Sequence, residues 1–181
     1  VPGLKWPGLI SLPKNNEMKS QKDELTKYKE LVKSINVGIL MIRTSGDEFK
    51  SRPMSTCQVD ENGDLWFFTD EFSEKTRDIS RDSLVYVNYA DPSKKSYVVL
   101  CGSASIHTDE ELKKKLWNPS SKYWFPRGLE ESRLALIKVE PIEVEYWSGN
   151  SSRIVILFKM ISSILGVGKS SNKNYKKISV N

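Results

Sequence analysis

Leu25, Tyr28, Leu31, Val32 and Ile35 recur at steps of three and four, with Lys and Glu between them. That is the spacing of one apolar helix face, and it predicts an amphipathic helix over about 18–34. Beyond it the pattern changes to short apolar runs separated by turn residues. Val37 to Arg43 reads as a strand, Ser45-Gly46-Asp47 as a turn, and Phe49 to Val59 as a second strand. Asp60-Glu61-Asn62-Gly63-Asp64 is a hairpin signal, because Asn-Gly tolerates positive φ. Leu65 to Thr69, Leu84 to Tyr89 and Tyr97 to Ile106 continue the series, and Asp91-Pro92-Ser93 makes a turn.

Ser73 is placed to cap a short helix running through Asp78 to Arg81. Thr108-Asp109-Glu110-Glu111 fits a capping box, with the helix running to Trp117 and stopped by Asn118-Pro119. Leu134 to Trp147 is a long strand containing Pro141, which calls for an edge or a bulge. Ile154 to Leu157 reads as a last strand leading into a short helix near 159–165. Six or seven short strands with few, short helices predict a mainly β protein, a closed antiparallel barrel with flanking α-helices. Residues 1–16, with Pro2, Pro7 and Pro13, read as an irregular arm, 17–167 as the barrel domain, and 168–181 as a flexible basic tail.

Composition narrows the function classes. The 181 residues carry a net charge of +5, with Lys and Glu interleaved over most of the chain. A mild excess of this kind fits an anionic ligand and gives no specific nucleic-acid footprint. The exception is the tail, where Lys169, Lys173, Lys176 and Lys177 meet no acidic residue. Cys57 and Cys101 are read as reduced core thiols of a soluble, cytoplasmic protein. With His107 the single histidine, a structural zinc site and a Ser-His-Asp site are set aside, and no metal is expected. The most apolar region, 154–167, is broken by Lys159 and Ser162-Ser163 and falls short of the roughly 20 residues that span a bilayer.

Three clusters bear on chemistry. In Ser51-Arg52-Pro53-Met54-Ser55-Thr56, Arg52 and Met54 face one way from a half-buried strand. A guanidinium there suits a phosphate, and it suits a salt bridge at the barrel rim equally well. Thr69 ends a strand, and Ser73-Glu74-Lys75 opens a helix whose free N–H groups attract anions. Lys75 opposes the helix dipole there, which a bound phosphate would relieve and which a solvated lysine also tolerates. Trp117, Tyr123, Trp124, Phe125, Tyr146 and Trp147 are dense for a chain with five Trp. Such rings more often fill a core or a dimer interface than stack on a flat cofactor.

Taken in order, Ser51-Arg52-Pro53-Met54, Leu65 to Asp70 with Lys75 behind it, and Val87-Asn88-Tyr89-Ala90-Asp91-Pro92 resemble general stress protein 26. That group belongs to the pyridoxamine 5'-phosphate oxidase-like, FMN-binding split barrels. Gly102-Ser103-Ala104, Leu116-Trp117-Asn118-Pro119, Trp124-Phe125-Pro126 and Glu145-Tyr146-Trp147 extend the likeness over about 20–165. The resemblance implies a homodimer with FMN in grooves between subunits; FAD or a deazaflavin offers the same phosphate. It implies that Arg52, Thr69 and Lys75 hold that phosphate with Ser73 near it. Pro53, Met54 and Ser55 would edge the isoalloxazine ring, and Phe68 would line its pocket. Trp117, Trp124 and Trp147 are implied contributions from the second subunit. No catalytic residue is assigned.

True pyridoxamine-phosphate oxidases carry a substrate-holding Arg-x-His pair. Here Arg153 falls at the Arg and Val155 at the His, and an apolar side chain donates no hydrogen bond. The favoured reading is therefore a flavin-binding protein of the general stress type, with or without flavin-dependent oxidoreductase activity. The alternatives are vitamin B6 phosphate oxidation and a non-catalytic flavin-storage, sensor or interaction module.

Overall fold

A computed structural model describes residues 15–148 of the chain, with side chains from residue 22 onward. Helix α1 spans Asn15–Ile35, starting earlier than the expected 18 and taking in the end of the expected arm. Its apolar face works as the spacing dictates: Tyr28 and Val32 are fully buried and Leu31 nearly so, with Leu25 and Ile35 packed beside them. The Tyr28 hydroxyl donates to the Gly63 carbonyl at 3.1 Å, tying α1 to the hairpin between the second and third strands. Gly63 sits at φ 85°, the left-handed conformation that the Asn-Gly signal anticipates. Asp60 completes that turn by accepting from the backbone N–H groups of Asn62 and Asp64.

Six strands follow: β1 (Val37–Arg43), β2 (Phe49–Val59), β3 (Leu65–Asp70), β4 (Leu84–Asp91), β5 (Ser96–His107) and β6 (Leu134–Ser148). They close a barrel in the order β1-β2-β3-β6-β5-β4, with β4 returning to β1 and all six neighbouring pairs antiparallel. This is the mainly β barrel with flanking helices that the chain's periodicity predicts. The expected strand at 154–157, the helix near 159–165 and the tail at 168–181 lie outside the described residues, as does the arm before residue 15. The inward residues alternate along each strand, for example Leu40 and Ile42 on β1, Val85, Val87 and Tyr89 on β4, and Val98 and Leu100 on β5. Pro141 is accommodated by a bulge, where the β5–β6 register shifts between Cys101 and Gly102. Gly102 is required there, since a Cβ would meet the Glu140 carbonyl oxygen at 2.7 Å.

Short helices cover the barrel. Helix α2 (Glu74–Arg81) follows β3 and buries Ile79 against the core. Helix α3 (Glu110–Leu116) follows β5. Its cap differs from the expected Thr108: the Asp109 carboxylate accepts from the Leu112 N–H at 2.7 Å, so the cap sits one residue later. A charged acceptor in that position also meets the positive end of the helix dipole.

β3 is buried on both faces, as is the start of β6 that pairs with it, Leu134 to Ile137. Leu65 and Phe67 point into the barrel, whereas Trp66 and Phe68 point outward into a second cluster with Leu134, Leu136 and Leu116. Leu112, Trp117, Phe125 and Leu129 close that cluster from outside. Lys113, itself buried, fastens α3 to β6 by donating to the Leu134 carbonyl at 3.0 Å and to Glu110 at 2.6 Å. The outer cluster is thus a small second core that fixes α3 and the 118–130 segment over β3. Leu116→Ala empties a buried position in it, and urea unfolding should show a loss of about 2–5 kcal/mol.

Candidate functional site

The cleft lies where β2 and β3 part. Their pairing covers Thr56↔Phe67, Gln58↔Trp66 and Val59↔Leu65, with a shift that leaves Cys57 as the extra residue of a bulge. Before Thr56 on β2 and after Phe67 on β3, the two strands no longer pair with each other. β2 there is held by β1, as in Arg52↔Leu40 and Ser55↔Val37, and β3 by β6, as in Phe68↔Leu136 and Thr69↔Ala135. The separated stretches become the two lips of a cleft of about 270 Å³.

Arg52, Pro53, Met54 and Ser55 form the β2 lip, and Phe68, Thr69 and Asp70 the β3 lip. Lys75, from the first turn of α2, closes one end. Asn118, Ser121, Trp124 and Phe125 form a further wall. That wall keeps its shape through Asn118, whose side-chain oxygen accepts from the backbone N–H and hydroxyl of Ser121 and from the Ser120 hydroxyl. Phe68 is held from behind, edge-on to Trp117 with centroids 5.2 Å apart and to Phe125 at 6.3 Å.

Thr69 is the chemical anomaly of this wall. It is 1% exposed, and its hydroxyl oxygen has no hydrogen-bond partner among the described residues. Leaving such a group unpaired costs about 1–3 kcal/mol, which an acceptor atom entering the cleft would recover. Arg52 and Lys75 stand beside it on the cleft wall. Arg52 donates to Glu74 at 3.0 Å, and Lys50 holds the other Glu74 oxygen at 2.5 Å. The Lys50 hydrogen bond and charge, with Arg52 assisting, keep the Glu74 carboxyl below the usual range. Lys75 has no hydrogen bond or ion pair from its ammonium group among the described residues. Burial first, and the Arg52 charge second, pull its pKa down from 10.5, with Asp70 opposing. A partly buried lysine, a partly committed guanidinium and an unpaired buried hydroxyl are donors of the kind that an anion with several acceptor oxygens, such as a phosphate, can use.

Eight of the eleven residues singled out from the sequence therefore line one cleft: Arg52, Pro53, Met54, Ser55, Phe68, Thr69, Lys75 and Trp124. Ser73 is the N-cap residue of α2 but stays off the wall, its hydroxyl 3.4 Å from that of Thr76. Trp117 backs Phe68 and does not reach the cleft surface. Trp147 pairs with Tyr97 near the far end of β6, away from this cleft. Trp124 lines the cleft of its own chain. Cys57, Asp70, Asn118, Ser121 and Phe125 complete the wall without having been assigned to it. The Cys57 thiol donates to the Trp66 carbonyl at 3.0 Å, and burial pushes its pKa up to about 12. Among the described residues, no group of three His, Cys, Asp or Glu side chains is arranged to hold a metal.

Comparison with known proteins gives a consistent picture. Residues 23–171 match the model of the family described as "Pyridoxamine 5'-phosphate oxidase like". The chain is similar to the general stress protein 26 of Bacillus anthracis str. Sterne, with 31% identity and a TM-score of 0.56, over 65% of this chain and 92% of that one. It also shares its fold with the general stress FMN/FAD binding protein of Xanthomonas citri, at 23% identity and a TM-score of 0.60, over 82% and 99% of the two chains. Protein bli-3 of Neurospora crassa is 30% identical over 105 residues, covering 53% of this chain and 50% of that protein. The chain thus spans about half the length of that curated relative.

Proposed function

The chain belongs to the pyridoxamine 5'-phosphate oxidase-like family, and from that premise we propose that its cleft holds a flavin nucleotide by the phosphate next to the ribityl chain. The observation that carries this reading is the buried Thr69 hydroxyl, unpaired among the described residues, in the cleft that Arg52 and Lys75 also line. The donor set fits a phosphate: two cationic groups and one hydroxyl converge on one end of the cleft. The rest of the cleft fits a flat, largely apolar ring, with Pro53, Met54 and Ser55 along one edge and Phe68, Phe125 and Trp124 along the others. FMN and FAD both offer this phosphate, and one structural relative is named for binding both.

In this reading the protein binds and orients. Arg52 exchanges its contact with Glu74 for the phosphate, Thr69 donates its free hydroxyl, and Lys75 supplies the desolvated charge. The hydride chemistry, when a flavin is bound, is the cofactor's own. The chain's contribution to a reaction is to position that ring and exclude water from it. None of the described cleft residues is assigned as a general acid or base. Asp70 is engaged with Arg133 at 3.0 Å, and the Cys57 thiol stays protonated near neutral pH.

We further propose a homodimer, built on the outer face of β1, β4 and β5. Val37, Ile39, Leu84, Tyr97 and Val99 are large apolar side chains left between 37% and 47% exposed there. Ile39 and Val99 flank Asn88 in one lateral row across three strands, so the patch is continuous across the sheet. Trp147, next to Tyr97 on the same side of the barrel, would then approach the second copy. Among the described residues, Cys57 and Cys101 form no disulfide, which suits the reducing cytoplasm proposed as its compartment. Among the described residues, no helix is long and apolar enough to cross a membrane.

Two measurements test these readings. Titration of FMN into the purified chain, followed by flavin fluorescence, should saturate at micromolar protein. Arg52→Ala and Lys75→Ala should each weaken it by about 10- to 100-fold, the value of one charge-assisted contact. The pH profile identifies Lys75: its protonated form holds the anion, and its pKa lies below 10.5. Wild-type affinity should therefore fall as the pH rises through that lowered value, and Lys75→Met should remain weak with this step absent. Unchanged FMN affinity in both alanine variants would remove the cradle. For the dimer, Val99→Glu should convert the chain to a monomer in analytical ultracentrifugation; an unchanged sedimentation coefficient would place the interface elsewhere.

A further inference from the structure

Phe72 is an apolar ring at the tip of the turn between β3 and α2, and it is 61% exposed. It is nevertheless held in place. Its backbone N–H donates to the Asp70 carboxylate at 2.8 Å, and the Arg133 guanidinium lies over one face of its ring, 5.4 Å from the centroid. Arg133 is fixed in turn by its ion pair to Asp70 at 3.0 Å and by its carbonyl, which accepts from the Glu71 N–H at 2.7 Å. Asp70 lines the cleft beside Thr69. An aromatic face and a guanidinium are thus mounted on Asp70, the residue next to Thr69, outside the residues that line the cleft.

The charges around the cradle point the same way. Of the cations at this end, Lys50 is committed to Glu74, and Arg52 shares the same carboxylate. Lys75 and the remaining donors of Arg52 are left for a ligand. A terminal phosphate monoester carries about 1.5 to 2 negative charges at pH 7, whereas each phosphate of a dinucleotide carries one. Glu74 lowers the positive charge offered and so favours the singly charged diester. Arg133 is tied to the cleft through Asp70, which lines it, and one side of its guanidinium is left for a further acceptor.

We propose that Phe72 and Arg133 form a second subsite beside the cradle, which takes the adenylate half of flavin adenine dinucleotide. The subsite rests on the flavin reading above. The open face of Phe72 stacks on the base, and Arg133 meets the outer phosphate. The chain then discriminates between the two flavin nucleotides at a place that the flavin ring never touches.

The test is a pair of titrations of the full chain with FMN and with FAD, read by flavin fluorescence and by calorimetry. Wild type should bind FAD about tenfold or more tightly than FMN, the order of one base stacked on an aromatic ring. Phe72→Ala should abolish that advantage and leave FMN affinity within about twofold, which also shows that the variant folds. Phe72→Trp should retain the preference. Equal affinities of wild type for the two flavins, or equal losses of both in Phe72→Ala, would overturn the subsite and leave the cradle intact. Loss of dimer in Phe72→Ala with the FAD preference unchanged would assign the ring to an interface and overturn it as well. Failure of wild type to bind FMN at all would instead sink the flavin reading, and the subsite with it.

Discussion

Pairing between β2 and β3 is short, and the site exists because it stops where it does. Three residue pairs hold the two strands together, interrupted by the bulge at Cys57. Had the ladder continued, Ser55 and Phe68 would face each other across hydrogen bonds and no cleft would open. The barrel tolerates the gap because each strand has a second neighbour: β1 along β2, and β6 along six residues of β3. Pro53 lies in the released part of β2 and has no N–H to offer a ladder with β3. The outer cluster does the rest. By burying Trp66 and Phe68 beneath α3 and Phe125, it keeps the β3 lip from closing onto β2 and supplies the third wall of the cleft.

The electrostatics follow from that opening. Thr69 has the inward parity of Leu65 and Phe67 but sits at the barrel's end, beyond the β2 ladder, where its hydroxyl meets no acceptor. Arg52 lies on β2 two residues beyond Met54, the position that would face Thr69 had the ladder continued, and the first turn of α2 brings Glu74 to it. The Arg52–Glu74 contact is between side chains 39% and 48% exposed, and such surface pairs contribute about 0–1 kcal/mol. An anion in the cleft can therefore recruit Arg52 at little cost. In the proposed flavin complex, both readings of Arg52, rim salt bridge and phosphate ligand, would describe one side chain passing from Glu74 to the ligand. Glu74 then sets how much positive charge the cradle offers.

Much of this was legible in the chain. The strand boundaries, the Asn-Gly hairpin, the edge or bulge that Pro141 calls for and the first-turn position of Lys75 follow from local chemistry, because period, turn residues and caps act over a few positions. The parity of Arg52 and Met54 was visible for the same reason. What escaped was set by distant packing. Glu74 reads as a favourable first-turn acid, and nothing local shows that it reaches Lys50 and Arg52, more than twenty residues earlier. Cys57 looks like any strand thiol until the register shift turns it toward the cleft. Asn118 and Ser121 follow a helix stop signal, so they read as loop, and become a wall only when the outer cluster folds that loop over β3. The cap of α3 lies one residue later because Thr108 and Asp109 are both N-cap residue types and the Asp109 carboxylate is the acceptor that reaches the Leu112 N–H. Trp147 was grouped with the other aromatics by composition, whereas the barrel carries it to the far end of β6.

The central claim is that this cleft recognises a phosphate rather than merely a flat apolar ring. It is tested most directly by comparing riboflavin with FMN on the same purified chain. The two ligands share the ring and the ribityl chain and differ only in the group that Arg52, Thr69 and Lys75 would hold. Two charge-assisted contacts and one relieved hydroxyl predict that FMN binds at least about 100-fold more tightly than riboflavin. Equal affinities for the two would show that the ring alone is recognised and would contradict the account.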